Sequence, residues 1–328
     1  MLATTLAVAA VFNGAPVPPG DAPWFASLTT RGSFCGGGLI APDRVLTAAH
    51  CVQGSGPGGF HVRIGGKRHP FRGTYFPTDY RLVASPVAPD VPSASGSVND
   101  IAVIVLRRPV TGVPTLPIAA TPPADGEATL TVGRGATGPQ RGASSRLLGA
   151  SQRVVPSADC HATYGAKLHF PELHLCTQDT TPTRAQACAG DSGSPVMVRR
   201  DGVLQIAGVV TWGGETLGRD CGEGPADASE RVLAHLALVT GAPPRTLAPY
   251  AERRVRVRRT GKVRRCVIGA WHPGKPRFTV RWFRRDQFRV RYLPGTGRTR
   301  TVKSGRIGCA VTARTAGGWA VEESYNAL

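Results

Sequence analysis

The sequence predicts an all-β chain in two unequal parts, and three observations support this. Gly 41 and Pro 28 among 328 residues favour strands and tight turns over helices. Up to about residue 233, short apolar runs ("WFASLTT", "GGGLIAPDRVLTAAH", "HVRIGG", "DIAVIVLRR", "LQIAGVVTW") are cut repeatedly by turn residues, the pattern of a barrel or sandwich. Beyond the Pro-rich break "GAPPRTLAP", the runs "RRVRVRR", "RFTVRWF" and "QFRVRYL" alternate β-branched or aromatic residues with arginine. That period of two marks a second, antiparallel β domain.

Taken in order, the chain opens with "MLATTLAVAA", residues 1–10, which reads as the remnant of a signal peptide, with Val8 and Ala10 at the positions a signal peptidase recognises. It lacks a basic start and is short for export, so the natural chain is expected to begin further upstream. The first β domain is assigned to 11–240, ending in a short helix at "ERVLAHLALVT", residues 230–240. A stiff linker at 241–254 follows, then a basic domain at 255–328. No apolar run reaches the ~18 residues of a membrane span.

Eight cysteines without a C-x-x-C pair point to four disulfides rather than a zinc site, and so to an oxidising, extracellular destination. Charge is uneven. Residues 1–240 hold 19 Lys+Arg against 17 Asp+Glu, a net +2, whereas residues 241–328 hold 21 against 4, a net +17.

Three polar residues stand in strand-like, apolar surroundings: His50 in "LTAAHC", Asp100 in "NDIAVIVL" and Ser192 in "GDSGSP". Singly, each has a bland explanation as a core histidine, a strand cap and a turn serine. Together they supply what acyl transfer needs: a hydroxyl nucleophile, a base to take its proton, and a carboxylate to hold the imidazole tautomer.

With their order and separations of 50 and 92 residues, and the motifs "TAAHC", "DIAV" and "GDSG", residues 11 to about 240 resemble the chymotrypsin-like (trypsin-fold) serine proteases. The resemblance implies two six-stranded β-barrels with the active site between them, a protein or peptide substrate, and neither cofactor nor metal. It implies the pairings Cys35–Cys51, Cys160–Cys176 and Cys188–Cys221. It makes Ser192 the nucleophile, His50 the base and then acid, Asp100 the orienting carboxylate, and the N–H groups of Gly190 and Ser192 the oxyanion hole. Thr211, Trp212 and Gly213 match the segment that pairs with substrate backbone, although core packing would equally explain Trp212. "VFNGAPVPPGDAPW" resembles the family's mature start, so cleavage after Ala10 would free the Val11 amine to pair with Asp191.

One departure concerns specificity. Where relatives that cleave after Arg or Lys have aspartate, six residues before the nucleophile, this chain has Gln186. A neutral amide cannot neutralise a buried cation, so a neutral P1 residue is expected, with Gly213 and Ala226 as open pocket walls. A register shifted by one would instead bring Glu223 or Asp227 into play.

In the basic domain, Cys266, Trp282 and Cys309 fall in the order of an Ig-like inter-sheet disulfide with tryptophan packed on it, although Ile307 replaces the usual corner tyrosine. A small OB-like or SH3-like barrel is the structural rival. Arg253, Arg254, Arg256, Arg258, Arg259, Arg264, Arg265, Arg281, Arg284, Arg285, Arg289 and Arg291 make residues 253–291 a candidate dock for a polyanion: cell-wall polymer, DNA or anionic membrane. The competing functional reading is a polyanion-binding, adhesin-like protein with a non-proteolytic scaffold. The intact trio of His50, Asp100 and Ser192 argues against it.

Overall fold

The computed structural model describes residues 11–18, 20–30, 34–138, 142–285, 290–302 and 305–325. The 1–10 leader and Arg289 lie outside the described residues.

Two sheets enclose the core of the first domain. One runs in the order 67–69, 61–64, 25–29, 34–41, 44–47, 102–106, 71–75, and the other in the order 15–16, 148–154, 128–133, 195–200, 203–212, 227–231, 174–178. Pairing of Arg153 with Gln178 and Val154 with Thr177 closes six strands of the second sheet into a barrel. The first differs from the expected six-stranded barrel: it is a seven-stranded curled sheet, with 67–69 and 71–75 as its two edges. These edges are joined through Pro70, which has no N–H to donate to a closing ladder.

Apolar side chains of both sheets merge into one cluster that includes Leu39, Val103, Ile104, Val132, Met197, Ile206 and Val209. The strands therefore present one apolar face to a shared interior, as their alternation requires. The helix expected at 230–240 is shorter: Asp227–Arg231 is strand, Val232–His235 a 3₁₀ turn and Leu236–Thr240 the helix. Pairing of Val209 with Glu230 and of His174 with Glu230 holds that first stretch extended.

The basic region folds as two facing sheets, one of 256–260, 263–267 and 299–301, the other in the order 290–296, 277–285, 308–315, 318–325. Cys266–Cys309 joins them, and Trp282 is buried beside it, its Nε1–H donating to Gly297 O at 2.8 Å. The segment expected to be a stiff linker is laid against the first sheet instead. Ala248 N–H donates to Thr74 O at 2.7 Å, Leu247 lies over Gly73, and Leu247 bridges Gly317. Trp319 completes the contact by stacking on Tyr80 at 6.0 Å and donating to its carbonyl at 3.2 Å.

Candidate active site

Sheet pairing explains how His50 meets Asp100. Strand Arg44–Thr47 pairs antiparallel with Ala102–Leu106, Thr47 opposite Ala102, so the residues just past the end of one and just before the start of the other emerge at the same edge. His50 sits there on the short helix Ala49–Val52. Asp100 follows Asn99, whose left-handed φ of 57° suits asparagine and turns the chain into the site.

His50 Nδ1 lies 2.7 Å from Asp100 Oδ2, and His50 N–H donates to Oδ1 at 2.9 Å. The first contact places the imidazole proton on Nδ1 and leaves Nε2 free to act as a base. Burial alone would lower the imidazole's pKa, but the Asp100 charge and hydrogen bond outweigh it and hold His50 above 6.5. Burial likewise acts to raise Asp100, and the His50 charge together with hydrogen bonds from His50 and Ser97 holds it below its ordinary value.

Ser192 is held by both sheets. Its carbonyl accepts from Gly36 N–H at 2.8 Å, while Gly193 N–H donates to Val210 O at 2.8 Å and Val210 N–H to Ser194 O at 2.9 Å. Gly193 has φ +80, and a Cβ there would strike Thr47 and the carbonyl of Gly36, so this crossing of the two halves requires glycine. Half-buried Ser192 lines a cleft of about 580 Å³ with His50, Asp100, Gly190, Gln186, Thr211, Trp212 and Gly213. Gly190, at φ 97, takes a backbone conformation that side chains resist. Trp212 serves the core as well, meeting Tyr164 edge-on at 4.8 Å.

One expected pocket residue turns elsewhere. Ala226 packs with Tyr164, Leu168 and Trp212, its carbonyl accepting from the Tyr164 hydroxyl, while Asp227 faces the cleft in its place. Consecutive residues of an extended chain point to opposite faces, so Ala226 and its neighbour Asp227 diverge. The strand beside them carries a bulge, Val210 pairing with Ser229 and Trp212 with Ala228.

Two neighbours escaped sequence analysis. Ser97 Oγ–H donates to Asp100 Oδ2 at 2.7 Å, and the fully buried Glu230 accepts from Asp100 N–H at 3.1 Å while touching His235 Nε2 at 2.7 Å. Charged residues (Asp227, Glu230 and Arg231) inside the short strand-like run "ADASERV" were the available signal for Glu230; "SASGSV" held none for Ser97.

Val11 is buried against Leu148, Ala150 and Ala185. Asp191, also buried, accepts from Gly135 N–H at 2.7 Å and Cys188 N–H at 3.0 Å. Burial pushes its carboxyl up to about 7 against the pull of these donors. All four disulfides form as expected: Cys35–Cys51, Cys160–Cys176, Cys188–Cys221 and Cys266–Cys309. The Cys/His groupings around His50 and His169 therefore offer no thiolate to a metal.

Comparison with known proteins agrees with this architecture. The trypsin family model matches residues 11–226. Trypsin Blo t 3 of Blomia tropicalis is 32% identical over 214 residues, covering 62% of this chain and 76% of the relative. The vitellin-degrading protease of Bombyx mori is 31% identical over 209 residues, covering 62% and 75%. In fold, the chain is similar to neuropsin, a serine protease expressed in the limbic system of mouse brain, with a TM-score of 0.57 at 23% identity over 70% of this chain and 98% of that one. With the trypsin family model matching more than half its length, the chain belongs to the trypsin family and is a chymotrypsin-like serine endopeptidase.

Proposed function

We propose that this is a secreted serine endopeptidase in which Ser192, His50 and Asp100 act as the triad. The Ser192 hydroxyl attacks the scissile carbonyl and passes its proton to His50 Nε2. The tetrahedral oxyanion is met by the N–H groups of Gly190 and Ser192, and His50 then gives the proton to the leaving amine. Water repeats the cycle on the acyl-enzyme, and extended substrate pairs along Thr211–Gly213. The observation that supports this most directly is the 2.7 Å His50–Asp100 contact in the cleft that Ser192 lines. A fluorophosphonate probe tests it: labelling lost in Ser192→Ala is the expected result, and labelling that survives this substitution contradicts the assignment. Secretion is supported by four disulfides, and no described helix is long and apolar enough to cross a membrane.

Activation is proposed to follow removal of residues 1–10. With Ala10 attached, the Val11 nitrogen is an amide; once freed, it becomes an ammonium suited to the buried Asp191 carboxylate, and the pair orders the oxyanion loop. N-terminal sequencing of active protein should give Val11, and any other start refutes it.

The basic domain is proposed to be an Ig-like module that docks a polyanion. Its Ig-like character is supported by the three-on-four sheet arrangement with Cys266–Cys309 between the sheets and Trp282 against it. Docking is supported by cross-strand register: Arg258 stands opposite Arg265, Arg259 opposite Arg264, and Arg264 opposite Arg300. Like charges placed directly opposite destabilise a sheet, a penalty that a bound anion relieves. Retention on heparin or DNA should fall steeply from low to moderate salt; salt-insensitive or absent retention rejects docking.

A further inference from the structure

Behind the triad lies a second buried acid that the reaction described above does not use. Glu230 is fully buried in strand Asp227–Arg231, and its carboxylate is divided between two partners: Oε2 accepts from the Asp100 backbone N–H at 3.1 Å, and Oε1 accepts from His235 Nε2–H at 2.7 Å. A neutral oxygen would satisfy the Asp100 N–H. A carboxylate there is costly, because it is withdrawn from water and stands beside a second buried carboxylate, that of Asp100 itself. Burial raises the Glu230 carboxyl above its ordinary value against the pull of the His235 hydrogen bond and charge.

Two imidazoles lie beside this carboxylate, and their partners distinguish them. His174 Nδ1 accepts from Phe170 N–H at 3.1 Å, so its proton is on Nε2, which donates to Ser97 O at 3.1 Å. Burial lowers the His174 pKa to about 3, so this ring, 3.8 Å from Glu230 Oε2, is neutral. His235 therefore remains as the ring that can balance Glu230. The Ser97 carbonyl also accepts from Trp212 Nε1–H at 3.2 Å, while Thr211 Oγ1–H is directed to Ala228 O at 3.0 Å. The turn from Ser97 to Asp100 is thus held by side chains of three second-barrel strands: His174 of His174–Gln178, Trp212 of Val203–Trp212 and Glu230 of Asp227–Arg231. These anchors bracket Asn99, the residue of left-handed φ that turns the chain into the site.

Resting on the endopeptidase reading above, we infer that Glu230, balanced by His235, is a positioning residue for the triad. It acts through the Asp100 backbone and touches no substrate. By holding that N–H, it fixes the Asp100 carboxylate where one oxygen meets His50 Nδ1 at 2.7 Å and the other accepts from His50 N–H at 2.9 Å. Asp100 leads into a strand of the first sheet and Glu230 belongs to the second barrel, so the same bond sets the two halves against each other behind the cleft. A misplacement of about 1 Å at a reacting group can cost on the order of 100-fold in rate.

The test uses the processed protein and separates kcat from KM on a substrate selected from a mixed peptide library, with fluorophosphonate labelling rate and thermal melting measured alongside. Glu230→Ala removes the acceptor and should lower kcat by about 10–100-fold with KM within about twofold of wild type, labelling slowing in step. Glu230→Gln keeps an oxygen for the Asp100 N–H without the charge, and its kcat should fall between those of Glu230→Ala and wild type, as should that of His235→Ala. If Glu230→Ala does not fold, Glu230→Gln decides. Wild-type kcat in a folded Glu230 variant overturns the assignment, and so does a loss confined to KM; wild-type kcat in His235→Ala overturns the part given to His235. A wild type that neither labels nor cleaves any peptide overturns the endopeptidase reading, and the positioning role falls with it. A labelled, active wild type confines any failure to Glu230.

Discussion

In the second barrel and its approaches, the acids Asp100, Asp191, Asp227 and Glu230 are few and buried, each held by named N–H, O–H or imidazole partners. In the basic module, Arg253, Arg254, Arg256, Arg258, Arg259, Arg265, Arg281, Arg285 and Arg291 are exposed, and several face one another across strands. A buried charge acts through its particular partners, so its removal has a steep effect. Exposed charges act through their sum in a screened medium, so each is replaceable. The two regions should therefore respond to mutation in different ways.

The largest effect belongs to the triad. Ser192→Ala or His50→Ala should lower kcat by roughly 10⁴–10⁶-fold on a peptide substrate while leaving the melting temperature nearly unchanged. A residual rate within about tenfold of wild type would place the chemistry elsewhere. Next is Asp191: in protein beginning at Val11, Asp191→Ala should destabilise by about 3–5 kcal/mol in denaturant titration, because it leaves a buried ammonium unpaired. The same change in the chain that retains Ala10 should be milder, since no ammonium is present there.

The module offers the contrasting structural case. Replacing Cys266 and Cys309 by serine opens a link spanning 43 residues and should reduce the module's stability by roughly 2–5 kcal/mol, read as an earlier melting step. Its effect on peptide hydrolysis should be small unless the Trp319–Tyr80 contact transmits it to the cleft rim beside Leu82.

Acidity sharpens the comparison further. Burial raises both Asp191 and Asp227 from 3.8 to about 7. A raised carboxylate contributes stability that is fully present below about pH 4 and lost as pH rises through about 7. The chain retaining Ala10 should therefore lose stability across that window, and processing should remove the Asp191 share. Because Asp100 holds His50 above 6.5, the acid limb of kcat/KM should lie above that value too. The smallest effect is a single arginine: Arg256→Ala should change stability by less than about 0.5 kcal/mol. If its guanidinium meets a phosphate, the substitution should also reduce the slope of log affinity against log salt by roughly 0.9.

Legibility in the sequence followed the same division. His50, Asp100 and Ser192 could be read because a polar residue in an apolar strand context is uncommon and three in that order are specific. The all-β class and the separate basic region were legible from period and composition. The open first sheet was not, since closure depends on whether 67–69 and 71–75, on either side of Pro70, pair with each other. Glu230 was not, because its partner is the Asp100 backbone, 130 residues away.

By itself, the sequence determined the all-β class, the candidate trio His50, Asp100 and Ser192, and the placement of positive charge at one end of the chain, because these are properties of residue identity and local pattern. Only the tertiary structure decided which side chain faces the substrate. Asp227 lines the cleft, whereas its neighbour Ala226 packs with Tyr164, Leu168 and Trp212. In a strand, neighbouring residues point to opposite faces, and which face becomes the pocket is fixed by the partner strand's hydrogen bonds.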